Sequence, residues 1–242
     1  MADTTPSFIV TRAAAPLLPP SADWDAPHWA HTASLSLERW GDVREGLEYR
    51  PQCVEAKLQA SDECLAVLFR VSDEVVKTEA TEFCGAVWKD SCVEMFISPG
   101  QPVASTSNQY FNFEMNASGV LLLYHCRGGT ESTPVSEEDA ATIQIAATAG
   151  PAPILPDQDT EPQSWSVEYH VPWALFAKHF DTPTPPTGGT VWTANFYKCG
   201  GPKPHYGNWS PLLAKRAGQM GAFHSPESFG QLCFDDTAAV SL

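Results

Sequence analysis

Glu94 is the first residue in this chain that calls for a chemical explanation. It is an acid inside the otherwise apolar run Cys92-Val93-Glu94-Met95-Phe96-Ile97, six residues after Trp88 and shortly after Lys89 and Asp90. In extended chain alternate side chains share a face, so Cys92, Glu94 and Phe96 point one way and Val93, Met95 and Ile97 the other. A carboxylate among apolar neighbours must sit at the mouth of a site or be paired, because burying it bare is costly. A second run, 110–116, sorts more cleanly. Phe111, Phe113 and Met115 form an apolar face, and Tyr110, Asn112, Glu114 and Asn116 a polar one. A strand of that kind packs one side on a core and offers the other to solvent or a ligand.

An indole with an acid and an amide, opening onto one site, would suit a polyhydroxylated ring; Trp88 could equally be a rim residue packed on a loop. An aromatic face covers the C–H face of a pyranose, carboxylates accept from its hydroxyls, and amides both accept and donate. Two other readings use the same residues. Glu94 and Glu114 lie on neighbouring candidate strands, and a glycan-processing hydrolase needs two carboxylates set apart across a cleft. Alternatively, Glu94 forms an internal ion pair with Lys89, Arg70 or Lys198. The sequence has no G-x-S-x-G, phosphate loop or H-E-x-x-H.

The elements that must position these residues read as short strands joined by turns. Residues 8–13 make an initial strand, and Leu35, Leu37 and Trp40 a short alternating run. Segments 54–60 and 64–73 form a hairpin around Ser61-Asp62-Glu63. After the central pair of strands, 120–126 returns as a third, and 142–148 is a further strand. Trp165, Val167, Tyr169 and Val171 line one face of the next, and Pro172 closes it before the one predicted helix, 173–180. Strands at 191–199, 206–212 and 229–234 complete the series, with polar loops at 127–141 and 149–163. Trp192, Phe196, Trp165, Tyr169 and Trp173 fall on apolar faces and read as core. The implied fold is all-β: a single antiparallel β-sandwich, immunoglobulin- or jelly-roll-like, with one short helix and one domain over 1–242.

Composition narrows the partners. Lys and Arg number 14 against 29 Asp and Glu, a formal charge of -15. That balance argues against nucleic acid and against anionic membrane surfaces. Neutral sugars remain suitable ligands. Seven cysteines without a C-x-x-C pair read as free thiols of a reducing compartment, with a disulfide through Cys84 as the alternative. The N-terminus has no basic segment leading into an apolar stretch, which points to a cytoplasmic protein, or to an extracellular or periplasmic one had a signal been removed.

Taken in order, W-x-D-S-x-V-E-x-F-I-S-P, Y-F-N-F-E-x-N-A-x-G, W-x-V-E-x-x-V-P-W, A-N-F-Y-K-C, N-W-S-P and F-H-x-P-E-x-F-G-x-L resemble the carbohydrate-binding module family 9-like domains, within the DOMON-like β-sandwiches. The resemblance runs from about Phe8 to Phe234. It implies non-catalytic binding of a mono- or oligosaccharide between two aromatic walls, in the service of carbohydrate catabolism. By this resemblance Trp88 is one wall, Glu94 the acid that accepts from sugar hydroxyls, and Asn112 and Asn195 polar contacts. The second wall departs from the family pattern: Phe223 and His224 stand where a Trp is expected, with Trp209 upstream. The resemblance also implies a structural calcium, but no D-x-D-x-D-G loop is visible and no ligands are assigned. A haem or metal site of DOMON type would need Met or His ligands. Met115 reads as core, and His224 stands alone.

Overall fold

A computed structural model describes residues 5–43, 47–100, 109–127, 131–155, 163–213 and 222–238. Its strands are β1 (Ser7–Arg12), β2 (Ser34–Ser36), β3 (Cys53–Ala60), β4 (Cys64–Asp73), β5 (Cys92–Ser98), β6 (Tyr110–Asn116), β7 (Leu121–Arg127), β8 (Glu131–Pro134), β9 (Gln144–Ala147), β10 (Gln163–Pro172), β11 (Val191–Cys199), β12 (Tyr206–Asn208) and β13 (Gly230–Ala238). Hydrogen bonds link them in the order β8-β7-β6-β5-β11-β13-β1-β3-β4-β10-β9, with β12 added to β11 and β2 to β3.

That continuous ladder folds back on itself, so its two halves face each other across one core. Phe113 of β6 stacks on Tyr169 of β10 with centroids 5.9 Å apart, and Phe69 of β4 meets Phe196 of β11 at 6.0 Å. The all-β sandwich expected from the sequence is therefore present, with one difference in direction. β1 pairs in parallel with β13 and with β3, so it joins the two halves of an otherwise antiparallel ladder.

Local chemistry sets the turns. In the β3–β4 hairpin the Ser61 hydroxyl accepts from the amides of Glu63 and Cys64 at 3.1 and 3.0 Å. Pro172 ends β10 and stands at the N-cap of helix α2 (Trp173–His179), whose Phe176 packs on Trp192. The segment 127–141, expected to be a loop, holds β8 and a single helical turn, α1 (Glu137–Ala140). The Ser136 hydroxyl caps this turn by accepting from the Asp139 amide. α1 is thus a second helix where one was expected. Parts of both expected loops, 128–130 and 156–162, lie outside the described residues, as do 101–108 between β5 and β6. Among the described residues no helix is long and apolar enough to cross a membrane.

Candidate functional site

The alternation read from the sequence places the polar row of β6 on the outer face of its half of the sandwich. Glu94 pairs across the ladder with Glu114, and Glu114 with Leu122; one step along, Phe96, Asn112 and Tyr124 form the next row. On the other side of β5, Tyr197 is opposite Glu94 and Cys199 opposite Cys92. These rows floor a cavity of about 670 Å³, within the ordinary range of about 300–1,000 Å³ for small-ligand sites.

Trp88 stands at its mouth on a 3-10 turn, Val87–Lys89. Val87 is buried and anchors the turn, whereas Trp88 is 47% exposed, the most of the eight tryptophans. A buried carboxylate fixes the turn from below. Asp90 accepts from the amides of Glu79 and Ala80 at 2.9 and 3.0 Å and from the Asn116 side chain at 2.9 Å. The Asn116 oxygen in turn accepts from the amides of Ser118 and Val120. Gly200, just after β11, crosses close over the same turn with φ +73°. A Cβ there would lie 1.9 Å from the Asp90 carbonyl oxygen. Only glycine allows both that approach and that dihedral.

Another part of the lining is aromatic but already engaged. Phe223 stacks on Tyr197 at 4.0 Å, and its carbonyl accepts from the Tyr197 hydroxyl at 3.0 Å. His224 packs on Phe96, and its Nδ1 is bound to the Tyr110 hydroxyl at 2.8 Å. Tyr124 and Tyr206, both half-buried, also line the cavity. Sequence reasoning left these two out. The signal for Tyr124 lay in 121–126, where Leu122, Tyr124 and Cys126 alternate with Leu121, Leu123 and His125.

The floor is acidic, and no described cation pairs with it. Glu94 is 3% exposed, and its Oε1 accepts from the Cys199 thiol at 2.9 Å. Burial, reinforced by Cys199 and Glu114, holds its carboxyl well above the usual range. Glu114 is 6% exposed; its Oε1 accepts from the Asn112 amide at 2.9 Å, while its buried Oε2 has no partner. Burial raises Glu114 to about 7. The expected ion-pair alternative for Glu94 is not found among the described residues. Arg70 is bound to Glu55 at 2.6 Å, Lys198 lies 3.5 Å from Asp73, and Lys89 is on the exposed turn. His205, also in the lining, is held down to about 4 by burial and by Lys198, whose Nζ is 2.7 Å from its Nε2.

Of the seven residues expected at the site, five line this cavity: Trp88, Glu94, Asn112, Phe223 and His224. Two lie elsewhere. Asn195 is fully buried and spends its amide on the backbone, donating to the Ser210 carbonyl and accepting from the amides of Ser210 and Phe196. Trp209 packs edge-on against Phe196 and over Gly230, on the core side, so it does not close a clamp with Trp88. Asn112 is also largely engaged, since its oxygen accepts from the Tyr124 amide. Its main effect is to orient Glu114.

Among the described residues one group could hold a metal: the Sγ atoms of Cys92 and Cys199 and a Glu94 oxygen lie within 4.8 Å of one another. Thiolates suit soft ions, while calcium takes about six to eight oxygens. This cluster therefore does not fit the structural calcium implied by the resemblance. Met115 is buried in the core and His224 is bound to Tyr110, so they do not present a ligand pair for haem. All seven cysteines are free thiols.

The protein is thus an all-β sandwich with an aromatic-lined, acid-floored cavity on one face. Residues 32–234 match the family model for carbohydrate-binding family 9, and the chain belongs to that family. Three solved structures share the fold. One is a crystal structure from Bacteroides uniformis ATCC 8492, described as a candidate carbohydrate-binding protein. It is 24% identical with TM-score 0.79, over 96% of this chain and all of that one. The others are family 9 modules from Caldicellulosiruptor kristjanssonii, solved with cellotriose and with glucose. They are 15% and 14% identical with TM-score 0.61, over 98% of this chain and 98% and 99% of theirs. No curated protein matches the sequence.

Proposed function

We propose that this chain is a non-catalytic sugar-binding module, taking a monosaccharide or the end of a glycan in the cavity beside Trp88 and serving carbohydrate catabolism. The observation that carries the reading is a half-exposed indole that shares one cavity with two buried carboxylates, one of which has an oxygen without a described partner. The indole covers a C–H face of the ring. Glu94, Glu114 and the remaining donor capacity of Asn112 meet the hydroxyls. The structures with cellotriose and glucose support sugar as the ligand class. Glu94 and Glu114 stand side by side on one wall, as direct neighbours across β5 and β6. A glycosidase needs its carboxylates to flank the scissile bond, so this arrangement favours binding over hydrolysis.

Titration calorimetry of the full chain with glucose, xylose and cello-oligosaccharides tests the reading. Burying one ring face on an indole is worth about 1–3 kcal/mol. Trp88→Ala should therefore weaken binding by about 10- to 100-fold without moving the melting temperature. An unchanged affinity in that variant would remove Trp88 from the site.

A further inference from the structure

Glu94 and Glu114 bring together more acceptor oxygens than the described donors around them use. They are direct partners across β5 and β6, share a face, and are both more than nine-tenths buried. Neither forms an ion pair with a described residue. Of the lysine and histidine side chains that line the cavity among the described residues, Lys89 is on the exposed turn, His205 is bound to Lys198 and the Lys203 carbonyl, and His224 is bound to Tyr110. Lys198 has its own carboxylate in Asp73. Among the described residues, the cavity thus holds two buried acids, an oxygen with no donor, and no committed counter-cation.

We propose that the sugar recognised here is an amino sugar, whose ammonium sits between Glu94 and Glu114 while its ring lies on Trp88. The proposal rests on the sugar-binding reading and names the class of sugar. An ammonium brings three donors and a positive charge. It can serve the vacant Glu114 oxygen and Glu94 together, through charge-assisted bonds roughly twice as strong as neutral ones. A neutral hydroxyl brings one donor and no charge, so the acids must keep a proton to lie side by side. Acetylating the nitrogen removes the charge, and a uronic acid adds a repulsive one. The site should therefore rank amino sugars first, neutral and N-acetylated sugars lower, and acidic sugars last. Charging both carboxyls also expels a proton: the ammonium enters, and the proton shared by the pair leaves to buffer. The elevated position of Glu114 is consistent with a proton held there near neutrality.

The test is calorimetry of the full chain near pH 6.5 with glucosamine, N-acetylglucosamine, glucose and glucuronic acid, repeated in buffers of different ionisation enthalpy. Glucosamine should bind about tenfold more tightly than glucose or N-acetylglucosamine, with a buffer-dependent heat that reports proton release. Glu114→Gln should bring the glucosamine-to-glucose ratio close to one. Should that variant not fold, the comparison of glucosamine with N-acetylglucosamine on the native protein decides alone. If glucose binds and glucosamine binds no better, the amino-sugar assignment falls and the sugar-binding reading stands. If none of these sugars, nor xylose or a cello-oligosaccharide, binds, the sugar-binding reading falls and takes this assignment with it.

Discussion

Two buried acid centres sit on different halves of the sandwich and behave in opposite ways. Glu168, on β10, is fully buried and completely served. Its Oε2 accepts from the amides of Ser21 and Ala22 at 3.0 and 2.8 Å, and its Oε1 from Trp29 Nε1 at 3.3 Å and His170 Nε2 at 2.9 Å. Burial pushes its carboxyl up, but the bonds from His170 and the two amides outweigh this and hold it below the usual range. Glu94 and Glu114 are nearly as buried, yet share one thiol, one amide and a vacant oxygen, and their carboxyls rise. Burial is common to both centres; what differs is the supply of donors. Where the fold supplies them, the acid is a fastener that holds residues 21–29 over β10. Where it withholds them at a cavity, the acid keeps unused acceptor capacity and its carboxyl rises.

The largest effect should come from removing the fastener. Glu168→Ala leaves four donors without their acceptor and should cost about 3–5 kcal/mol in urea unfolding, while sugar affinity at the distant cavity changes little. A loss below about 1 kcal/mol would show that the two centres do not differ as described. The pH dependence has a definite sign. Because the folded carboxyl lies below its free value of 4.5, its stabilisation is present above that pH and fades as pH falls through the folded value.

Next in size is the turn that carries Trp88. Gly200→Ala puts a Cβ on the Asp90 carbonyl at a positive φ and should cost about 2–3 kcal/mol. It should also displace Trp88, so the loss of sugar binding ought to exceed what the stability change alone predicts. Quenching of Trp88 fluorescence by added iodide, compared before and after the substitution, reads that displacement.

The vacant centre should respond oppositely to the served one. Glu114 rises from 4.5 to about 7 in the folded protein, so its contribution to stability is fully present below 4.5 and is lost as pH climbs through about 7. Glu114→Gln keeps the shape and removes the charge. It should stabilise the protein by about 1–2 kcal/mol near pH 8, the gain shrinking to nothing below the free value. A constant difference across pH would mean that the carboxyl is not held back from ionising. Glu168→Gln is the paired control and should be destabilising throughout the neutral range.

Much of this contrast was visible in the chain, and the remainder has physical reasons for being hidden. The period-two alternation of 110–116 put Asn112 and Glu114 on one face, and that of 92–98 put Glu94 with Cys92 and Phe96, because a strand's side-chain period leaves no other choice; the register that joins the two faces came from the fold. It also put Trp192 and Phe196 in the core, where they are found. Alternation could not say how the outer face was shared out. Asn195 lies on that face beside Tyr197, but the backbone of Ser210 reaches it first. Trp209 looked suitable as a second wall by composition, yet one residue of phase sends it to Phe196 and Gly230 instead. The parallel β1 was hidden because its partners, 231–238 and 59–60, lie far away in sequence. Glu168 gave no local signal, since its donors come from residues 21, 22 and 29.

The smallest effect tests how the vacant centre is tuned. Asn112 donates to Glu114 Oε1 and accepts from the Tyr124 amide, so it is the one side chain that supplies Glu114 with a donor among the described residues. Burial lifts the Glu114 carboxyl, and a bond to its charged form works the other way. Removing that bond in Asn112→Ala should move the Glu114 midpoint upward from about 7, by roughly half a pH unit or a little more, for a stability change of about 1 kcal/mol. Carboxyl-carbon NMR titration would follow it directly. A downward shift would mean that water entering the vacated space solvates the carboxylate better than the amide does. Glu114 would then be an acid that the cavity already hydrates, and its difference from Glu168 would be one of degree.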